Sequence, residues 1–407
     1  VNDTKRENEA IGYLLIDKPA GPSSHDVVGW VRWTLGIKAV GHCGTLDPAA
    51  TGLLVITIGA ATRCAQWISD GDKTYEAEFL LGRSTTTGDM QGETVDELDA
   101  VSAEYLQRAE AVLSEMKGTH ALPPPRFSAV SIDGKRAYAL ARSGESVELP
   151  ERRMHVETLA FRGSCRDGNL ARLRVRLCVS KGTYIRSLAV ELGARLGVPV
   201  CLYSLHRVGS GAFSLEDLER WPILSGISAV RLADRPGEAR GTVKPKWRLR
   251  FADDISLEEA RARISNALIP PQLGLEIPTV QIEAEKSALM ARFELGQQIR
   301  GDERDWDWLS RHVPEDRPAV FFACESSTDS APIRAYPPNL THSPGDPVHE
   351  GRSAATIFSN AGDAVKSAKM REFPKLTSFV VVGRMAGRGG EPVIGPLAVI
   401  LRDAARK

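Results

Sequence analysis

The stretch ARLRVRLCVSKGTYIRSLAVELGARLG, residues 171–197, restricts the possible folds more than any other part of the chain. Leu173, Val175, Leu177 and Val179 alternate with Arg172, Arg174 and Arg176, and a period of two sends the two sets to opposite faces of a strand. One face is core and the other cationic. After KGTYIR, Leu188, Ala189, Leu192 and Leu196 recur at helical spacing and stop at Gly197 and Pro199. A strand, a loop and a helix in one short span call for a sheet with helices laid against it, a mixed α+β architecture.

The flanking sequence extends this pattern. GYLLID (12–17) reads as a strand halted by KPAGPSS, and a helix follows with Ser23 or Ser24 as its cap, Asp26 in its first turn and Gly36 at its end. LLVITIG (53–59) suits a buried strand, and KTYEAEFLLG (73–82) another with Tyr75, Ala77 and Phe79 on one side. Residues 101–116 suit a helix. Residues 121–144 read as an extended Pro-rich segment leading into a short basic helix, an excursion typical of an insertion. SLEEARARISNAL (256–268) is helical, while from Ile277 a strand, a helix and a glycine turn open a second domain closed by FVVVGRM and VIGPLAVIL. Residues 326–354 are rich in Ser, Pro and Gly without periodicity, as in a surface insertion or a disordered segment.

Composition narrows the class. With 407 residues, 42% hydrophobic and 26% charged, the chain has the make-up of a globular protein of two or three domains. Six cysteines (43, 64, 165, 178, 201 and 324) form no CxxC pair, which argues against zinc-ligand spacing and a dense disulfide framework and favours a reducing cytoplasm. No apolar run is long enough to span a bilayer, and VNDTKRENEA is polar, so no membrane association is expected. Formal net charge is zero, yet two stretches are locally basic. Residues 166–207 hold eight Lys or Arg against two acids, and residues 239–250 hold five against none. Either stretch is a solvated face or part of a phosphate-binding one.

GHCGTLDPAATGLL (41–54) places Asp47 before Pro48, which pushes the aspartate out of helical geometry and presents it from a bend. By itself that carboxylate could cap neighbouring amides in an Asx-turn. Four stretches nevertheless occur in one order: DKPAGPSSHD (17–26), GHCGTLDPAATGLL, DKTYEAEFLLG with STTTGDMQGE (72–93), and SKGTYIRSLAVELG (180–193). Together, over roughly residues 11–215, they resemble the TruB family of tRNA pseudouridine synthases.

The resemblance implies an α+β pseudouridine synthase fold, with a mixed, largely antiparallel sheet flanked by helices and a C-terminal PUA-like β-barrel. It implies a flexible N-terminus at 1–10, a catalytic domain at 11–230 with a thumb-like RNA-binding insertion at about 121–152, a basic linker and helix at 231–276, and the PUA-like domain at 277–407 with an insertion at about 325–375. The implied reaction converts the T-loop uridine at tRNA position 55 to pseudouridine without a cofactor. Asp47 matches the family's catalytic aspartate, Tyr75 its active-site tyrosine, and Arg186 the arginine paired with the aspartate. His42, Asp89, Tyr184 and Lys18 align near the substrate, and Arg126, Lys135, Arg136 and Arg142 of the thumb are placed to touch phosphates.

Cys43 and Thr45 stand where the family pattern has threonine and alanine or another small residue, and Leu122 where a glutamine is common. No metal is expected, because Asp17, Asp47 and Asp89 are far apart in sequence and no histidine cluster accompanies them. The expected partner is the T-arm of tRNA, with no obligatory protein partner and a monomeric state in the bacterial cytoplasm. The alternatives are a tRNA-binding or folding factor without catalysis, and an RNA-guided synthase of the dyskerin type.

Overall fold

The computed structural model describes residues 10–125, 127–128, 131–132, 135–136, 149–232, 246–271, 273–275, 279–281, 287–295, 297–300, 303, 305–313, 319–324, 376–386 and 392–401. β1 (Gly12–Lys18) serves two cores at once, Leu14 and Ile16 packing in one and Tyr13 and Leu15 in the other. α1 (Ser24–Leu35) begins with a reciprocal cap: Ser23 Oγ accepts from the Asp26 amide, while the Asp26 carboxylate accepts from the Ser23 amide and hydroxyl. Gly36 closes it in the left-handed region at φ 72°. After β2 (Val40–His42), β3 (Thr51–Ile58) repeats the two-sided burial, with Leu54, Ile56 and Ile58 in the first core and Leu53 and Val55 in the second.

α2 (Ala65–Ser69) leads to β4 (Lys73–Leu81), then the small ribbon β5 (Arg83–Thr85) and β6 (Thr94–Glu97), α3 (Ala103–Glu115) and β7 (Gly118–Leu122). β8 (Ser131–Ile132) and β9 (Lys135–Arg136) pair antiparallel. The sequence between them is Asp-Gly, a dipeptide that favours tight hairpin turns. The short basic helix expected to follow falls on residues outside the described ones. β10 (Arg152–Asp167), β11 (Leu170–Val179), α4 (Ile185–Leu196), β12 (Val200–Ser210), β13 (Phe213–Ser214) and β14 (Ile223–Leu224) complete the large sheet.

Its order is β14-β1-β3-β12-β4-β11-β10-β7, with β2 added to β3 and β13 to β12. The β1–β14 and β3–β12 pairs run parallel and the others antiparallel, so the sheet is mixed and largely antiparallel. Helices α1, α3 and α4 cover one face, contributing Val27, Val31, Leu113, Leu188 and Leu192 to a shared core. Burying each such side chain contributes about 1.5–3 kcal/mol, which is what fixes α4 against the sheet.

β3 and β12 approach unusually closely at Gly52. An added Cβ would lie 2.3 Å from the Arg207 carbonyl oxygen, and Gly52 has φ +98°. Gly52→Ala is expected to destabilise the fold by about 3 kcal/mol from combined strain and overlap. Thermal unfolding of the variant checks this.

The alternation along β11 holds, yet its outer face is largely neutralised. Arg174 and Arg176 lie in register with Glu78 and Glu76 of β4. Arg172 pairs with Glu78 at 3.3 Å and Asp167 at 3.2 Å, and Arg176 with Glu216 at 2.6 Å and Glu76 at 3.5 Å. The cationic face expected there is thus mostly engaged by carboxylates of this same chain.

β15 (Ile227–Arg231) pairs with β16 (Trp247–Phe251), and α5 (Leu257–Asn266) follows behind a Ser256–Glu259 capping box. Within the stretch expected to be a linker, Phe251, Ala260 and Ile264 are buried in the core shared with α1, and Tyr13 and Ile269 exchange two backbone hydrogen bonds of 2.8 Å. Beyond it come β17 (Thr279–Gln281), α6 (Ser287–Glu294), β18 (Ile299–Arg300), α7 (Trp306–His312), β19 (Ala319–Cys324), β20 (Leu376–Ala386) and β21 (Pro392–Leu401). These strands order as β17-β19-β20-β21-β18. Among the described residues this sheet is open: no pairing joins β17 to β18, so barrel closure is not seen. The insertion at 325–375 lies outside the described residues. Among the described residues, no helix is long and apolar enough to cross a membrane.

Candidate active site

Asp47 is held from three directions. The Ala50 amide donates to the Asp47 carbonyl at 3.1 Å, closing the bend that Pro48 imposes, and the Gly21 amide donates to the Pro48 carbonyl at 2.8 Å. Ser24, the first residue of α1, exchanges hydrogen bonds with the Leu46 backbone at 2.9 and 3.2 Å. From below, the Lys18 ammonium donates to the carbonyls of Pro19 at 2.8 Å, Pro48 at 3.2 Å and Ala50 at 2.7 Å. Lys18 was expected near the substrate; it is fully buried, and its donors are directed at the loop.

The carboxylate itself faces Arg186. Nε lies 3.0 Å from Asp47 Oδ2, and Nη2 donates to Oδ1 at 3.2 Å, a two-pronged contact. Among the described residues no backbone amide donates to the Asp47 side chain, so the Asx-turn alternative is not the arrangement adopted. Arg186 is 5% exposed in its side chain, and its remaining donors go to the Thr87 carbonyl at 3.1 Å and the Phe127 carbonyl at 3.0 Å. Asp89 Oδ2 stands 3.7 Å from the same Nε. Asp89 is anchored in turn by Thr87 Oγ1 at 2.5 Å and the Gln91 amide at 3.0 Å. Two aspartates therefore share one buried guanidinium.

Asp47 is densely surrounded, yet its side chain keeps 39% of its exposure, so the carboxylate is reachable from solvent. Burial raises its pKa above the usual carboxylate value, and the charge of Asp89 adds to the rise, while Arg186 and Lys18 oppose it. Chemistry that needs the ionised form should therefore fail, as pH falls, at a pH higher than the roughly 3.9 of a free aspartate. Asp89→Asn removes the like charge and is expected to shift that acid limb to lower pH. Single-turnover rates measured against pH check the sign.

The other expected residues take distinct places. Tyr75 is buried on β4, in register with Leu177 on one side and Arg207 on the other. Tyr184 is the N-cap of α4, two residues before Arg186, and packs against the core. His42 ends β2, with its ring edge-on to His25 at 5.7 Å between centroids and its buried Nδ1 without a partner among the described residues. Burial, with His25 and Arg207 nearby, lowers His42 to about 4, so the ring is neutral at physiological pH. Arg126 and Arg142 lie outside the described residues. Lys135 and Arg136 form β9, but their side chains lie outside the described structure.

Sequence reasoning missed Thr87 and Phe127, which hold Arg186 through backbone carbonyls, and Ser187, whose hydroxyl donates to the Pro123 carbonyl at 2.7 Å. A carbonyl acceptor leaves no mark in a sequence. Lys73 and Arg207, buried near the same loop, were also missed.

The mixed sheet flanked by helices has the pseudouridine synthase fold. A solved H/ACA RNP bound to a substrate RNA containing 2'-deoxyuridine has a chain that superposes with a TM-score of 0.50 at 20% identity, over 79% of this chain and 77% of that one, a likeness of fold. Within this class, residues 32–185 match the TruB family pseudouridylate synthase N-terminal domain. The tRNA pseudouridine synthase B of Bacillus cytotoxicus is 44% identical over 208 residues, 51% of this chain and 68% of that protein. Its counterpart in Bacillus licheniformis is 39% identical over 240 residues, 58% of this chain and 78% of that protein. The chain belongs to the TruB family.

Proposed function

We infer that this protein isomerises uridine to pseudouridine in tRNA, with Asp47 as the group that attacks the nucleotide. The observation that carries the reading is the Asp47 carboxylate, bonded to Arg186 on one side and open on the other. An ionised carboxylate is a nucleophile without needing a base to activate it. Attack at ribose C1′, or removal of the C2′ proton, breaks the N1–C1′ bond. The uracil then rotates and C5 bonds to C1′, with the Asp47 oxygen leaving C1′ in the first route or a proton returning to C2′ in the second, after which the C5 proton leaves and N1 is protonated. Product and substrate are isomers, so no electrons are exchanged.

A uracil inside a folded loop must leave its stack, at a cost of a few kcal/mol. Tyr75 is assigned to stack on the extruded base, a contact worth about 1–3 kcal/mol. His42, neutral and with a free ring nitrogen, is assigned to occupy the vacated space, and Tyr184 and Asp89 to line the pocket. Lys18 acts beneath the loop through the backbone. The T-loop uridine at position 55, a PUA-like role for the C-terminal sheet, contact of the thumb with phosphates, and action as a cytoplasmic monomer belong to the same proposal.

The test uses purified full-length protein and an unmodified tRNA transcript carrying tritium at uridine C5. Release of one tritium per tRNA, with the product mapped to the T-loop, is the expected result. Binding without release would favour a non-catalytic factor, and release only in the presence of guide RNA and partner proteins would favour the RNA-guided alternative.

A further inference from the structure

We propose that Arg207 is a positioning residue for this reaction, a guanidinium that fixes the Asp47 loop from beneath and ties it to the strand carrying Tyr75. The proposal rests on the assignment of Asp47 as the attacking group. Arg207 is 1% exposed and belongs to β12, in the middle of the sheet. Its Nε donates to the Leu53 carbonyl at 2.7 Å and its Nη2 to the Gly44 carbonyl at 3.0 Å. Those carbonyls lie on either side of Asp47 in sequence, so one planar group clasps the entry and the exit of the bend. Its backbone is in register with Tyr75 on β4 and with Gly52 on β3.

Among the described residues no carboxylate forms an ion pair with Arg207. A buried charge held only by neutral acceptors is costly, and that cost offsets much of what its two hydrogen bonds contribute. Stability alone therefore gives little reason for an arginine here. Local geometry is arranged around it as well. A bulge in β12 between Arg207 and Gly209 breaks the register with β4, as bulges do where a side chain must be re-aimed. Gly44 has φ +100°, and a Cβ there would meet Arg207 Nη1 at 3.4 Å. That contact is an ordinary one, and it is the left-handed backbone presenting the Gly44 carbonyl to Arg207 that favours glycine here.

Unlike Arg186, Arg207 has no hydrogen bond or ion pair to the Asp47 carboxylate among the described residues, so its effect is on where the carboxylate stands. A misplacement of about 1 Å can lower a rate about 100-fold. Arg207→Met removes both hydrogen bonds while filling the space, and Arg207→Lys keeps the charge without the fork. Both are compared with wild-type full-length protein for single-turnover rate, tRNA Kd, thermal midpoint and the acid limb of the pH profile.

The expected result for the methionine variant is a folded protein whose thermal midpoint falls by only a few degrees, a Kd within about twofold, an unmoved acid limb and a rate about 100-fold lower. Lysine restores only part of the rate. A wild-type rate in a folded methionine variant overturns the proposal. So does loss of folded protein in both variants, or a rate that falls only in step with folding, since Arg207 would then be structural. An inactive wild-type protein would instead sink the functional reading itself.

Discussion

Asp47→Asn is expected to abolish pseudouridine formation, by at least about 10⁴-fold, while leaving tRNA affinity within about threefold. The amide keeps the shape of the carboxylate and can still accept from Arg186, so the loop and its supports are retained. What disappears is the nucleophile. Stability should change little, because Arg186 keeps its contacts to Thr87, Phe127 and Asp89 and is not left with an unpaired buried charge. Tritium release under single-turnover conditions and filter binding of tRNA, measured on one preparation, separate the two effects. Turnover above about one part in a thousand of wild type would remove Asp47 from its proposed role.

Arg186→Gln has a different signature. Its loss leaves Asp47 and Asp89 facing each other without the cation between them, so Asp47 should be raised further. The acid limb should move to higher pH, opposite in sign to the Asp89→Asn shift, and the rate at neutral pH should fall by about 100- to 1,000-fold. The fold should also lose about 3–5 kcal/mol, because the guanidinium joins four partners in a buried site. Arg186→Lys keeps the charge but not the two-pronged contact, and should recover the position of the pH limb better than the rate. A rate loss with no movement of the limb would show that the arginine acts only by packing.

Much of this arrangement was legible in the sequence wherever one strand has one plain period. The run 171–180 and the helix at 185–196 are read directly, because alternation and helical spacing survive intact in both. β12 was not legible, since bulges between Leu202 and Ser204 and between Arg207 and Gly209 reverse its alternation twice, and Arg207 then looks like any surface arginine. The neutralised face of β11 was missed for another reason. Periodicity tells which side chains share a face but says nothing of what stands across from them, although Glu76 and Glu78 were visible in KTYEAEF. The cluster of Asp47, Asp89 and Arg186 was suggested only through the joint order of four short motifs. Asp47, Asp89 and Arg186 are distant along the chain, and only folding brings them to one guanidinium.

The indole of Trp247 rests on Gly21, where an added Cβ would lie 2.5 Å from the ring, and Gly21 in turn bonds Pro48 beside Asp47. A residue well past the matched stretch 32–185 thus braces the loop that carries Asp47. Anyone trimming this gene to a shorter product would do better to place the stop codon after Leu275 than near residue 230, since the earlier stop would remove the indole against which the Asp47 loop leans.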